Sequence, residues 1–294
     1  MKAIDYFAPT SVEEAVGLFE EKGPMARGLA GGTDIIVQLN IRRRTIERLV
    51  DIKTIPEANV LNYSPQTGLV IGAGVPCHLI YNNQAVVTNY PGLIDAASMI
   101  GGTQIQGRAT IGGNVCNAAP SGDGIPPLIV LNAICVIVGP KGTRRLPVEN
   151  FFTGPGQNSL EVGEFLLHIE LPAPAANSGV RYKRFIPRAE MDIAVAGVGS
   201  SVILDSNKSK ITSARIALAS VAPTPILVKA AGALLEGKGI DDEKAIEEAA
   251  TIARDAARPI SDMRGTIEHR KQLVYVLTKR TLKDAIQRAK GGQV

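Results

Sequence analysis

Three times in the chain a pair of glycines is followed at once by a side chain that can donate or accept a hydrogen bond: "AGGTD" (Gly31, Gly32, Thr33), "IGGTQ" (Gly101, Gly102, Thr103) and "IGGNV" (Gly112, Gly113, Asn114). Glycine loses more backbone entropy on folding than any other residue, so repeated pairs need a reason. One reason is the tight turn. The other is a run of unhindered amides forming a concave nest, which binds anionic oxygens without a lysine. A diphosphate is a compact double anion that several such loops could enclose, with Thr33, Thr110 and Asn114 adding hydrogen bonds at the rims. The usual single-loop phosphate motifs are absent. "GPKGTRR" lacks P-loop spacing, and "IGAGVP" is not a GxGxxG entering a helix.

Other chemistry is thinly represented. Cys77, Cys116 and Cys135 are odd in number and form no CxxC pair, and His78, His168 and His269 stand singly, without metal-ligand spacing. No Ser-His-Asp or Cys-His set and no paired catalytic carboxylates stand out, so neither catalytic nor metal-binding residues are assigned. A net charge of +4, 4% aromatic residues and no tryptophan argue against nucleic-acid binding.

The elements that must position these loops can be read in outline. Thr10 or Ser11, then Glu13 and Glu14, open a helix whose Val12, Ala15, Val16 and Phe19 share a face and which Gly23-Pro24 stops. "RLVDI", "GLVIGAGV", "ICVIVGP" and "EFLLHIELP" read as strands, and "GLIDAASMIG" as helical. The proline-rich "LPAPAANSGV", residues 171–180, is the expected domain boundary. Beyond it "DIAVAGVGSSVILD" and "ITSARIALASVA", joined by "SNKSK", predict an antiparallel hairpin. Two helices follow. The first carries Ala245, Ile246, Ala249, Ile252, Ala253 and Ala256 on one stripe. The longest apolar run, Leu128–Val138, is far shorter than the roughly 20 residues a membrane helix needs, and the N-terminal segment carries Asp5 and no apolar core of a secretory signal. The expectation is a cytoplasmic protein without a membrane span.

"LAGGTDIIV" together with "AASMIGGTQIQGRATIGGNVCNAAPSGDGIPPLIVLNA" resembles the FAD-binding medium subunit of the molybdenum hydroxylases, the xanthine dehydrogenase and carbon monoxide dehydrogenase family. The likeness continues through "EFLLHIELP", "RFIPRAEMDIAVAGVG", "SVAPTP" and "ISDMRGTIEHRKQL", in family order over nearly the whole chain. It implies an α+β, vanillyl-alcohol-oxidase-like (PCMH-type) flavin fold. Residues 1–175 would form an FAD-binding domain of two subdomains (about 1–57 and 58–175), followed by a C-terminal α+β domain, 176–294, of antiparallel sheet and helices.

Carried over by position, Leu29, Ala30, Gly31, Gly32, Thr33, Asp34 and Ile35 would hold the FAD diphosphate and neighbouring atoms. Ile100, Gly101 and Gly102, then Thr110, Ile111, Gly112, Gly113 and Asn114, would form the facing wall. Asp123 stands where the family places a carboxylate on the nucleotide, Leu166 where a backbone lies near the flavin, and Lys183 near a lysine on the cofactor, with Arg184 as its alternative. "IQGRAT" departs from the "IRNRGT" of many relatives, and the cysteine-rich insert of the hydroxybenzoyl-CoA reductases is missing. The resemblance further implies an electron-transfer role. The molybdenum cofactor would reside on a large partner subunit and the two-iron two-sulfur clusters on a small one, in a heterotrimer or its dimer. "NIRRRTIER", Asn40–Arg48, is either a contact with these partners or a solvated charged face. Two rival readings remain: a flavin-free docking subunit, and a stand-alone flavin reductase of related fold. On the cofactor reading, Gly32→Val should weaken FAD retention more than it lowers the melting temperature of the apo-protein.

Overall fold

The structure, a computed structural model, describes residues 3–292. Its first sheet has the order β1-β3-β2 and is parallel throughout: β1 (Asp5–Phe7), β2 (Ala26–Leu29) and β3 (Arg48–Asp51), with α1 (Val12–Lys22) and α2 (Ile35–Asn40) as the crossovers. Ser11 caps α1 by accepting from the Glu14 amide at 3.1 Å, while the Glu14 carboxylate accepts from the Thr10 amide at 2.9 Å. Ala15 and Phe19 are buried against the sheet, and Gly23, at φ +52°, ends the helix.

The second sheet is antiparallel, in the order β4-β5-β10-β6-β7. It comprises β4 (Leu61–Ser64), β5 (Gly68–Gly72), β6 (Ile134–Gly139), β7 (Gly142–Pro147) and β10 (Phe165–Leu171). Between β5 and β6 run six short helices: α3 (Cys77–Tyr81), α4 (Gln84–Asn89), α5 (Pro91–Ala97), α6 (Thr103–Gln106), α7 (Ile111–Asn117) and α8 (Ile125–Val130). A small ribbon of β8 (Phe152–Gly154) and β9 (Gln157–Asn158) precedes β10. β5 stops at Gly72, short of the run "GLVIGAGV", because the chain turns there against Ala58. A Cβ on Gly72 would stand 2.2 Å from the Ala58 carbonyl oxygen.

The segment 172–177 leads to a third, antiparallel sheet of β11 (Ser178–Phe185), β12 (Ala196–Leu204), β13 (Ile211–Ala219) and β14 (Ile226–Leu227). Helices α9 (Lys229–Leu235), α10 (Glu243–Ala256) and α11 (Ile267–Ala289) follow. Ala245, Ile246, Ala249 and Ala253 are buried in a core shared with Val198, Ile216 and Val274, whereas Ile252 and Ala256 lie at its margin. The other face of the sheet meets α8: Arg215 donates to the Ile129 carbonyl at 2.9 Å and Ser201 to that of Val130 at 3.0 Å.

The third sheet is also tied to the second by charge. Asp95, on α5, accepts from both Arg288 terminal nitrogens (2.7 and 2.9 Å), from Arg181 (3.2 Å) and from the Tyr182 amide (3.0 Å). Among the described residues no helix is long and apolar enough to cross a membrane.

Candidate functional site

β2 delivers the chain at Leu29 into a loop, Ala30–Asp34, that enters α2. Its two glycines have different physical causes. Gly32 takes φ +78°, a conformation that L side chains rarely adopt. Gly31 has no such need. A Cβ there would lie 2.2 Å from the Arg108 carbonyl oxygen and 2.9 Å from the Ala109 Cα, so its missing side chain lets two backbones touch. That contact brings the first glycine loop against the segment leading into α7. Gly112 repeats the device, packing against Ala73, whose Cα would be 2.5 Å from an added Cβ. Gly32→Val therefore strains the loop whether or not a ligand is bound, so a fall in the melting temperature of the apo-protein is expected alongside any loss of FAD.

Thr110 is the N-cap of α7, its hydroxyl accepting from the Gly113 amide at 2.8 Å. Asn114 accepts from the Gly124 amide at 3.1 Å. Across from them, among the described residues, the amides of Gly31, Gly32, Thr33 and Asp34 donate to no protein oxygen. Buried or half-buried amides are almost always paired, so the unused donors of Gly31, Gly32 and Thr33, continued by the exposed Asp34, mark a surface made for an acceptor.

These segments surround one cavity of about 530 Å³ between the first and second sheets. Of the residues expected at the site, Ala30, Gly31, Gly32, Thr33, Asp34, Ile35, Ile100, Thr110, Gly112, Gly113, Asn114 and Leu166 line it. Leu29, Gly101, Gly102, Ile111, Asp123 and Lys183 lie outside that lining. Leu29 closes β2 and Ile111 is fully buried in the core. Gly101, at φ +62°, packs on the Ile105 side chain, and Gly102 faces Met191 on the segment after β11. Asp123 is buried, taking the Tyr182 hydroxyl at 2.6 Å and an ion pair from Arg184, and Lys183 pairs with Asp284 at 2.6 Å. Burial pushes the Asp123 carboxyl above its ordinary range, against the pull of Arg184 and Tyr182.

Several lining residues escaped sequence reasoning. Arg27, Gln38 and Arg44 come from around the first loop, and Asn117, Gly156 and Glu161–Glu164 from beyond α7. Arg44 belongs to "NIRRRTIER": Arg42 and Arg43 are exposed and Arg48 is buried against Glu21, but Arg44 turns inward. Its Nε donates to Gln38 at 2.6 Å and its Nη2 to the Gly156 carbonyl at 3.1 Å, while Gln38 donates to Asn117 at 2.9 Å. This chain of side chains joins the two walls. Burial alone raises the Asp34 carboxyl, and burial, then Arg44, lowers Arg27. Cys116 stands at the wall with its thiol pushed up to about 12 by desolvation, a protonated group and poor nucleophile. Among the described residues no cluster of His, Cys, Asp and Glu is able to hold a metal. The cavity is a binding cleft with unused amides and two arginines.

The comparisons with known proteins agree with that geometry. The FAD binding domain in molybdopterin dehydrogenase matches residues 2–174, and the CO dehydrogenase flavoprotein C-terminal domain matches residues 181–285. The xanthine dehydrogenase FAD-binding subunit of Escherichia coli O157:H7 is 30% identical over 97% of both chains. The carbon monoxide dehydrogenase medium chain of Afipia carboxidovorans is 32% identical over 98% of both. Among solved structures, carbon monoxide dehydrogenase from Hydrogenophaga pseudoflava superposes with a TM-score of 0.92 at 34% identity, covering 97% of this chain and 98% of that one. Quinoline 2-oxidoreductase from Pseudomonas putida 86 superposes with 0.89 at 27%, covering 98% and 99%. By its two matched domains, its full-length relatives and its fold, this chain belongs to the FAD-binding subunits of the molybdenum hydroxylase family, the oxidoreductase flavoproteins of xanthine and carbon monoxide dehydrogenases.

Proposed function

We propose that this chain is the electron-transfer subunit of a molybdenum-containing hydroxylase or dehydrogenase, taking electrons from iron-sulfur clusters of a small partner subunit and passing them to an external acceptor. The observation that carries the reading is the meeting of the Gly31 and Thr110 loops around one cavity with four amides unused. The residues fit a dinucleotide. Gly31, Gly32, Thr33 and Asp34 would offer amides to the diphosphate of FAD, and the Thr33 and Asn114 side chains would orient it from opposite walls. Leu166 and Ile100 supply apolar wall to a planar ring. Bound FAD supplies a carrier that accepts electrons singly and releases them in pairs, so the protein's task is to position it and keep water out.

Asp123 and Arg184 lie where β11 meets the loop before α8, whereas Lys183 between them in sequence pairs with Asp284 of α11, so any contact these residues make with the cofactor requires exchange of their present partners. The division near residues 57 and 175 is proposed as the boundary of the two FAD-binding subdomains and the C-terminal domain. Substrate chemistry would take place on a large subunit bearing the molybdenum cofactor, in a cytoplasmic heterotrimer or its dimer.

The test is purification of the chain under mild conditions with its companions. We expect stoichiometric FAD, copurifying iron-sulfur and molybdenum subunits, and flavin reduction that requires the iron-sulfur subunit. A colourless chain that stays colourless with added FAD would overturn the reading, as would a flavoprotein that runs alone and is reduced directly by substrate.

A further inference from the structure

Two cations in the cavity have no acidic partner. Arg27 donates only to backbone carbonyls, those of Pro24 at 3.0 Å and Ala26 at 2.8 Å. Arg44 donates only to the Gln38 amide oxygen and the Gly156 carbonyl. Among the described residues neither forms an ion pair, although the chain's other half-buried and buried cations at this end do. Arg48 pairs with Glu21, Lys53 with Asp51 and Arg144 with Glu164.

The carboxylates that share the cavity are not free to serve. Glu164 is held by Arg144 at 2.7 Å and Glu161 by Lys141 at 2.9 Å. Asp34 remains, and it forms no ion pair with either arginine among the described residues. A guanidinium withdrawn from water without a counter-ion is costly, and here burial and the nearby Arg44 both disfavour the charge on Arg27. Such a pair is retained when the missing charge comes from a ligand.

We propose that Arg27 and Arg44 are the counter-ions of the bound dinucleotide's diphosphate, gripping it opposite the amides of the Gly31–Asp34 loop. The inference rests on the FAD reading and adds to it. The nest supplies direction through neutral donors, whereas the two guanidinium groups supply charge. Guanidinium suits the task because its planar fork matches phosphate oxygens two at a time. Arg44 has a second consequence. Its grip on Gln38 and Gly156 ties both walls, so the anion it holds is placed across the seam rather than on one side of it.

The experiment is titration of the full chain, stripped of flavin, with FAD and with ADP, over a range of ionic strength. Arg27→Met should weaken both ligands by about 10- to 100-fold, the loss of a charge-assisted hydrogen bond, and flatten the salt dependence. Arg27→Lys should recover part of the affinity. The melting temperature of ligand-free Arg27→Met should stay level or rise, because an uncompensated charge has been removed. Arg44→Lys, which keeps the charge but not the fork, should weaken ADP binding in the same direction. Wild-type affinity and salt slope in Arg27→Met would overturn the proposal while leaving FAD binding intact, and so would a fall in melting temperature matching the loss of affinity. A wild-type chain that binds neither FAD nor ADP would overturn both readings.

Discussion

Asp34 is the residue at which the cost of the site is easiest to measure. It opens α2 without capping it and lines the cavity, and although the residue is exposed overall, desolvation of its carboxyl at the cavity wall raises it above the ordinary carboxylate range. Its folded pKa is raised, so the folded state takes up a proton more readily than the unfolded chain. The Asp34 contribution to wild-type stability therefore becomes more favourable as pH falls through the window between the folded value and the unfolded one near about 3.9. Asp34→Asn removes the penalty. The ligand-free variant should be more stable than wild type at pH 7, and the gain should shrink on acidification until both side chains are neutral. Thermal melts from pH 7 down to pH 4 check this; a gain independent of pH would show that charge is not its source.

At the scale of elements, α7 depends on one hydroxyl. Thr110→Val keeps the shape of the cap but leaves the Gly113 amide without its acceptor, and should cost about 1 kcal/mol in chemical denaturation, with Thr110→Ser near wild type. Elements of this kind were legible in the chain because their causes are local. Ser11 and Glu14 announce α1, and the alanine stripe of α10 announces a helix laid on a sheet. Two of the three glycine pairs fall on loops that line the cavity and Gly101–Gly102 does not, and for Gly31 and Gly112 the cause is backbone pressed on backbone, which only the folded chain supplies. Three arginines in a row look alike on paper. That Arg44 turns inward while Arg42 and Arg43 face water depends on Gln38 and Gly156, and the latter is 112 residues away. The wall from Thr153 to Glu164 carries neither periodicity nor a motif, so its place at the cavity was invisible.

Across the whole molecule, the C-terminal sheet and α11 are locked to the flavin-binding part through Asp95. With Asp95 and Arg288 side chains each only 11% exposed, the ion pair is close to fully withdrawn from water. Removing one partner of such a pair costs far more than a surface salt bridge is worth. Asp95→Ala should lower the unfolding free energy by about 3 kcal/mol, read from denaturant curves, and Asp95→Asn by less, since the amide still accepts from the Tyr182 amide. A loss under about 0.5 kcal/mol would place the clasp among exposed pairs.

The cavity's walls come from residues between 19 and 52 and between 73 and 166, drawn together by the contact of Gly31 with Arg108. A ribosome must therefore have released more than half of the polypeptide before there is anywhere for a dinucleotide to sit. Loading must wait until both walls have been made, and a chain truncated before residue 166 should emerge empty however much cofactor the cell contains.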